Sequence, residues 1–503
     1  MKSLQELLKE YVEKSSYTIY SLSYASKINR TTLQRAITGE RPISRENLDK
    51  LLPFLNLTLN EKNELEKAFF ISQMGEYTYQ KYIYVKDLLE NIELNNTAFD
   101  LDEFPITTYS SVPAGETRLL KGVFNIIKYI YQTTVLNVKN EEEPYICILS
   151  HFHNRFFKDL YEQFQSYYFQ KLKIRHITPF VKTAQTDSES SLFNLQILST
   201  LLPFALSNRI NCTFSYYYEE TDFSALSGIP FTYYILTNHN VIFLSSDCQN
   251  ALILSDHLLP FYRQHFDEIA NASCPLLDSP NATGVPDMMS VFSTPSARSD
   301  FSYVIESQPC LIQFIDNAMI TKAINKEIPE KQQHMLMDLL TQHCKTLRTL
   351  TSSTSVFTRE GYDDFVNNGR IHTIPDYLYR PLITEERIVI LKRLIQANEH
   401  GSRSLHMIKK SAFRPKVNFV SYDNSSIIFY FQAHDKAFQS CTLREPNIIA
   451  FLNEFVKNLC DSELVYSIEE TNDIFRNTIN ELQSRLPVSH PSSKPKKSSA
   501  ASP

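Results

Sequence analysis

The sequence predicts a multidomain protein, an all-α bundle of short helices followed by a large α/β (α+β) region in two related lobes. Over the first seventy residues apolar side chains recur at helical spacing in five short groups, each opened by Ser, Thr or Asn. From Pro144 onward, short β-branched and aromatic runs alternate with helical stretches, the pattern of a layered α/β unit. The chain has 503 residues, 43% of them hydrophobic, which is more than one core accommodates.

The first helix opens on Ser3-Leu4-Gln5-Glu6, a capping box, and buries Leu4, Leu7, Leu8 and Tyr11. Thr18 caps a second, short helix with Ile19, Leu22 and Ala25 or Ser26 turned inward, ending near Lys27. Ile28 plugs the turn, Asn29 caps a third helix, and Leu33, Ala36 and Ile37 form its apolar stripe before Gly39 stops it. Ser44 caps a fourth helix carrying Leu48, Leu51, Leu52 and Leu55, with Pro53 ending it. Asn60 caps a fifth with Leu65, Phe69 and Phe70.

The third helix presents Arg30, Thr31, Gln34 and Arg35 opposite its apolar stripe. Donors and amides at the start of a helix that follows a tight turn suit the edges of guanine and adenine in a major groove. At this point Leu22 to Gly39 resembles the helix-turn-helix of the Cro/repressor (XRE-like) transcriptional regulators, a likeness confined to the first seventy residues. The resemblance implies a DNA-binding unit over residues 1–73. Its base contacts fall on Arg30, Thr31 and Arg35, with Asn29 and Gln34 beside them, and its grip on the DNA backbone falls on Arg41 and Ser44. Lys27 and Thr32 complete the candidate set. Ser23 stands where the family usually has alanine and Lys27 where it has glycine, the latter costing about 1 kcal/mol in a left-handed turn. The alternative is a bundle that only packs on the next domain. Against it stands the cluster of Lys27, Arg30, Arg35, Arg41 and Arg45, opposed nearby only by Glu40 and Glu46.

Residues 74–100 are expected to form a connecting helix, with Tyr77, Tyr79, Tyr82 and Tyr84 as packing aromatics. The first lobe, residues 101–278, carries strand-like runs at Tyr145–Leu149, Asn211–Tyr218, Tyr233–Leu236 and Val241–Leu244. Helical stretches run from Phe156 to Leu172, Ser191 to Leu206 and Leu258 to Ile269. A turn-rich linker or surface loop at 279–302 leads to a second lobe at 303–480. Its helices are expected near Glu330–Leu350 and Ile383–Asn398, and its strands at Val417–Ser421, Ile427–Phe431 and Phe438–Leu443. Asn238, Phe243, Ala251, Pro260 and Glu268 recur without a gap as Asn424, Phe429, Ala437, Pro446 and Glu454. This is the pattern of a tandem pair, with chance identity between strand-rich segments as the alternative. The Ser/Pro/Lys-rich residues 481–503 are expected to be disordered.

Composition narrows the chemistry. The eight cysteines lie far apart with no C-x-x-C pair and read as buried thiols of a reducing cytoplasm. Nine scattered glycines make neither G-x-G-x-x-G nor a P-loop, and G-x-S-x-G and H-E-x-x-H are absent. His151 and His153 with Asp159 lack further ligands at metal spacing, and the tyrosine runs at 167–168 and 216–218 read as packing. Asp363-Asp364 and Glu385-Glu386 read as solvated charges. Two α/β lobes resemble the duplicated phospholipase-D-like hydrolases, but His343-Cys-Lys345 and His434-Asp-Lys436 are followed by Leu350 and Cys441 where that motif requires aspartate. No signal peptide or membrane span is evident.

The sequence therefore points to a cytoplasmic, bacterial-type, sequence-specific transcriptional regulator. It is expected to bind double-stranded DNA as a homodimer, to answer to a small-molecule, peptide or protein effector, and to use no cofactor, metal or catalytic residues. The alternative is an enzyme or interaction factor that uses the bundle as a docking module.

Overall fold

The computed structural model describes residues 2–90, 117–150, 155–182, 189–207, 210–219, 231, 233–254, 256–279, 299–409, 413–432 and 438–486. The far end of the connecting segment, most of the linker and the tail from 487 lie outside these residues.

The N-terminal region is helical: α1 (Leu4–Lys14), α2 (Ile19–Ser26), α3 (Arg30–Thr38), α4 (Arg45–Leu51), α5 (Leu59–Met74) and α6 (Glu76–Glu90). Ser3 and Glu6 form the expected capping box of α1. The cap of α5 is Thr58 rather than Asn60. Its hydroxyl accepts the Glu61 N–H while the Glu61 carboxylate accepts the Thr58 N–H at 2.9 Å, so a reciprocal pair displaces the single amide cap. Leu7, Leu8, Leu22, Leu33, Leu48, Leu51, Leu65 and Phe69 close a core of their own.

Behind it lies a mixed α/β region built on one sheet of fourteen strands. In its first half β1 (Thr117–Lys121) is followed by α7 (Val123–Asn140), β2 (Tyr145–Leu149), α8 (Arg155–Gln163), β3 (Lys173–Val181), α9 (Glu189–Ser207) and β4 (Cys212–Glu219). Then come β5 (Tyr233–Leu236), β6 (Val241–Leu244), β7 (Asn250–Leu254), α10 (Leu259–Ala272) and β8 (Cys274–Asp278). The second half runs β9 (Phe301–Glu306), α11 (Asn317–Ala323), α12 (Glu330–Thr349), β10 (Ser352–Phe357), α13 (Arg359–Asn368), α14 (Thr384–Glu399) and β11 (Arg403–Met407). It closes with β12 (Asn418–Tyr422), β13 (Ser426–Gln432), β14 (Phe438–Leu443), α15 (Pro446–Cys460) and α16 (Ile468–Ser484).

The strand order β7-β6-β5-β2-β3-β4 recurs as β14-β13-β12-β9-β10-β11, each with three parallel strands flanked by an antiparallel meander. Between the two sets β8 pairs antiparallel with both β4 and β14, so the lobes share one sheet. The ungapped identities sit at matching places: Asn238 and Asn424 in the first turn of each meander, Phe243 and Phe429 on its middle strand, Pro260 and Pro446 in the first turn of the following helix. Ala437 lies outside the described residues.

Strand alternation assigns the two faces. Ile146, Ile148, Ile305, Phe419 and Phe429 join one continuous core under α6, α7, α8, α9 and α15, which spans both lobes. Cys147, Ile177 and Leu236 turn to α10, and Val304, Val420 and Ile428 turn to the helices of the second lobe. Four of the parallel strands, β3, β9, β10 and β11, are absent from the expected strands because their polar residues hide the pattern. Ser302 and Ser353 bond across the sheet at 2.8 Å. The buried Arg403 donates to Gln313 Oε1 and to the Leu347, Leu350 and Ser402 carbonyls, satisfying the C-terminal end of α12. All eight cysteines are free; Cys147, Cys248, Cys344 and Cys441 are buried, whereas Cys274 is exposed, against its expected burial.

The bundle is tied to the body through α6. Lys81 is buried between the Tyr77 and Phe451 rings, 4.6 and 4.9 Å from their centroids, and its ammonium donates to Glu454 at 3.1 Å. Glu454→Ala should destabilise the protein by about 1.5–3 kcal/mol in denaturant unfolding, since it removes a carboxylate hydrogen-bonded to a buried ammonium. Lys81→Met should cost less, since it removes the charge together with its need for a partner.

Candidate nucleic-acid interface

The link from α2 to α3 is a tight turn built by local chemistry. Lys27 is left-handed at φ 57°, where the sequence departs from glycine. Ser23, the other departure, donates its hydroxyl to the Ile28 carbonyl at 2.6 Å and so fastens the turn from the α2 side. Ser26 donates back to Leu22 O at 2.7 Å. Asn29 accepts the Thr31 N–H at 2.9 Å and starts α3. Gly39 ends α3 at φ 77°, with Gln5 donating to the Thr38 carbonyl at 2.8 Å. A Cβ at Gly39 would meet only the movable end of the Gln5 side chain, so it is the backbone angle that calls for glycine.

With Leu33, Ala36 and Ile37 buried, the opposite face of α3 is left to Arg30, Thr31, Gln34 and Arg35, all exposed, flanked by exposed Lys27 and Asn29 and half-buried Thr32. Arg35 approaches Glu40 at 3.8 Å, a loose, solvated pair that leaves its guanidinium accessible. Arg41 is exposed in the loop, its N–H bonded to the Arg35 carbonyl at 3.2 Å. Ser44 is half-buried and its hydroxyl caps α4 by accepting the Asn47 N–H at 3.4 Å.

Arg45 does not belong with the exposed cations. Its guanidinium pairs with Asp49 at 3.0 Å and Glu66 at 3.2 Å, lies over the Phe69 and Phe70 rings, and keeps 17% of its side-chain surface exposed. Its N–H donates to the Glu463 carboxylate, from the segment between α15 and α16, at 2.7 Å. The bundle thus rests on the second lobe one residue from Ser44. Tyr20 and Tyr24, one turn apart on α2, are 70% and 85% exposed and were not among the expected contacts. Their signal in the sequence is that they fall between the apolar positions of α2.

Elsewhere the expected sites separate. His151, His153 and His434-Asp-Lys436 lie outside the described residues, and Asp159 pairs with Arg155 at 3.6 Å. Among the described residues no group of three or more metal-capable side chains comes together. His343 is buried on α12, and burial holds its imidazole down at about 4. Tyr168 donates to the Val135 carbonyl, Tyr217 to Glu219 and Tyr218 to Glu445, so these hydroxyls serve packing contacts. One of the carboxylates expected to be solvated is not. Glu386 is buried under a two-point Arg380 contact, which lowers its pKa, whereas Asp364 stays partly solvent-exposed while facing His372 at 2.8 Å.

No protein-family model matches the chain, and no curated protein matches it. Among solved structures, the phosphatidylserine synthase of Haemophilus influenzae Rd KW20 aligns over 75% of this chain and 93% of its own at 9% identity and a TM-score of 0.22. TrmBL2, an archaeal chromatin protein, aligns over 42% and 73% at 8% identity and a TM-score of 0.20. The polyphosphate kinase of Porphyromonas gingivalis aligns over 73% and 56% at 6% identity and a TM-score of 0.20. Likeness at this level carries no argument about activity.

The left-handed lysine gives the turn a measurable cost. Lys27→Gly should raise stability by about 0.5–1 kcal/mol in thermal or denaturant unfolding, and Lys27→Val should lower it.

Proposed function

We propose that the chain is a sequence-specific DNA-binding transcriptional regulator of the cytoplasm whose α2-turn-α3 unit acts as a helix-turn-helix of the Cro/repressor kind. The observation that carries this reading is the face of α3. Arg30, Thr31, Gln34 and Arg35 are exposed together at and just beyond the start of a helix whose other side is buried, directly after a fastened tight turn. In this reading α3 enters the major groove. Arg30 and Arg35 donate to guanine edges and Gln34 addresses adenine, while Asn29 and Lys27 stand at the groove edge. The second helix crosses the backbone, where the Tyr20 and Tyr24 hydroxyls donate to phosphates, and Arg41 and Ser44 hold the strand on the far side.

One recognition helix reads few bases, so the reading requires a homodimer on a two-fold site with half-sites about 34–36 Å apart. The α/β body is then the part that answers to an effector. The packing of the bundle on the second lobe favours a second reading, in which the bundle is a docking module and reads no DNA.

Selection from random oligonucleotides with the full-length protein should return an inverted repeat, and recovery of no motif at moderate salt would sink the proposal. Against the selected site Arg30→Ala or Arg35→Ala should cost roughly 1–3 kcal/mol and relax one base position, whereas Arg41→Ala should weaken all sequences alike and flatten the salt dependence. The docking-module reading instead expects a protein partner whose binding survives the Arg30→Ala, Arg35→Ala double substitution. The Glu463 carboxylate sits one residue from Ser44, and a phosphate held there would be repelled by it. Glu463→Gln should therefore tighten DNA binding several-fold in an anisotropy titration; unchanged or weaker binding would show that this contact and DNA do not compete.

A further inference from the structure

Ser307 follows β9 directly, at the carboxyl end of a parallel strand. Its neighbours are β10 on one side, reached by a crossover, and the antiparallel β12 on the other. Crevices at such points, where the chain leaves a central strand of an open α/β sheet, are where these folds bind ligands.

The backbone of Ser307 is fixed from three directions. Its carbonyl accepts the Thr358 N–H at 3.2 Å and the Thr358 hydroxyl at 2.8 Å, and its N–H donates to Asn418 Oδ1 at 2.9 Å. Gly361 packs against it so closely that a Cβ there would lie 2.0 Å from the Ser307 carbonyl oxygen. The hydroxyl so placed is 3.0 Å from His372 Nδ1, and His372 Nε2 is 2.8 Å from Asp364 Oδ2 on α13. Asn368 donates to the other Asp364 oxygen at 2.5 Å. Gln308 ties the histidine segment to the strand end, accepting the His372 N–H at 2.9 Å and donating to the Arg370 carbonyl at 3.1 Å. Ser307 and His372 open onto a cavity of about 300 Å³ that Lys416, Asn418, Ile371 and Phe431 also line.

We propose that Ser307, His372 and Asp364 form a nucleophile–base–orienter site that hydrolyses small carboxylic esters. Ser307 Oγ attacks the carbonyl carbon as its proton passes to His372 Nδ1. The tetrahedral adduct collapses with cleavage of the ester C–O bond, and the proton on Nδ1 leaves with the alkoxide as an alcohol. Water then attacks the acyl-serine and gives a proton to Nδ1. Release of the carboxylic acid returns that proton to Ser307, so one ester and one water become one acid and one alcohol. The ring stands with its nitrogens exchanged relative to triads in which Nε2 is the base. The roles follow from what each nitrogen faces, and here Nε2–H donates to the carboxylate. The Lys416 ammonium and the Asn418 amide N–H2 are the cavity groups available to oppose charge on the carbonyl oxygen. The volume lies at the small end of ligand pockets and selects short acyl chains, which Ile371 and Phe431 can cover.

The test treats the full-length protein with a fluorophosphonate probe and follows p-nitrophenyl acetate and butyrate hydrolysis. The expected results are a single adduct mapped by mass spectrometry to Ser307 and ester turnover that rises with pH as the imidazole loses its proton. Ser307→Ala should remove both, and His372→Gln should slow turnover about 100-fold or more. Asp364→Asn should slow it by about 10- to 100-fold. Asp364 is a positioning residue, so its variant should lower kcat and leave KM unchanged. A thermal melt of each variant matching the wild type separates chemistry from misfolding. An adduct elsewhere, no adduct, or wild-type turnover by Ser307→Ala would overturn the proposal, and an unchanged kcat in Asp364→Asn would remove Asp364 from it. None of these outcomes bears on Arg30 and Arg35, so the DNA-reading proposal stands or falls separately.

Discussion

The seating of the helical bundle on the α/β body centres on a buried cation. Lys81, in the middle of α6, gives up its hydration between two aromatic faces and donates to the Glu454 carboxylate on α15. Around that point Tyr82 stacks on Phe455, 6.0 Å between ring centroids, and Val85, Leu88 and Leu89 enter the core shared by both lobes. At its other end α6 meets the bundle through Phe70, whose ring lies 6.2 Å from Tyr79. A helix so anchored transmits position, because a buried ammonium with its carboxylate partner and close-packed rings permit few alternative registers. The exposed face of α3 is oriented relative to the sheet by this helix and by the Arg45–Glu463 contact, the two attachments described between the bundle and the body.

The bundle was legible because each of its helices announces its own boundaries. Ser3, Thr18, Asn29 and Ser44 cap where their side chains dictate, and the buried stripes follow the helical period. Thr58 escaped notice because Asn60 is an equally good cap by residue type, and only the Glu three residues after Thr58 decides between them. Arg45 was misplaced among the exposed cations because sequence gives the sign of a charge and not the direction of its stem; two aromatic rings at Phe69 and Phe70 drew it inward. In the α/β region the antiparallel meanders were readable from their apolar runs. The parallel strands β9, β10 and β11 were not, since Ser302, Ser353 and Arg403 interrupt their apolar runs and are buried by pairing with partners far along the chain. The same holds for Ser307, His372 and Asp364, which share no short motif and meet only when β9 and α13 are side by side.

The two lobes use one topology for different ends. Ser150 follows β2 as Ser307 follows β9, and it too lies 3.0 Å from a histidine nitrogen, His176 Nε2. That histidine belongs to β3, is stacked on Tyr161 and is bonded to it at 3.0 Å, wholly out of reach of solvent. Burial pushes its imidazole down to about 3, so it stays neutral and serves packing. In the second lobe the histidine comes instead from an irregular segment after α13 and faces open space. A repeated sheet thus supplies two equivalent strand ends, and the source of the histidine decides whether the pair is sealed or open.

The seam between the lobes is unevenly sewn. On the β4 side β8 has three paired residues and a bulge, whereas on the β14 side it has two, Leu277 with Leu443 and Asp278 with Thr442. A sheet pulled apart along its width parts first at its shortest ladder, so the molecule carries a tear line between β8 and β14. Beneath that line the shared core under α6, α9 and α15 acts as backing cloth, holding the two halves in register even if the stitches above it open. Slow amide exchange is accordingly a property to look for in the interiors of the two six-strand sets, and quick exchange at Arg444, whose N–H crosses the seam to the Leu276 carbonyl at 3.4 Å.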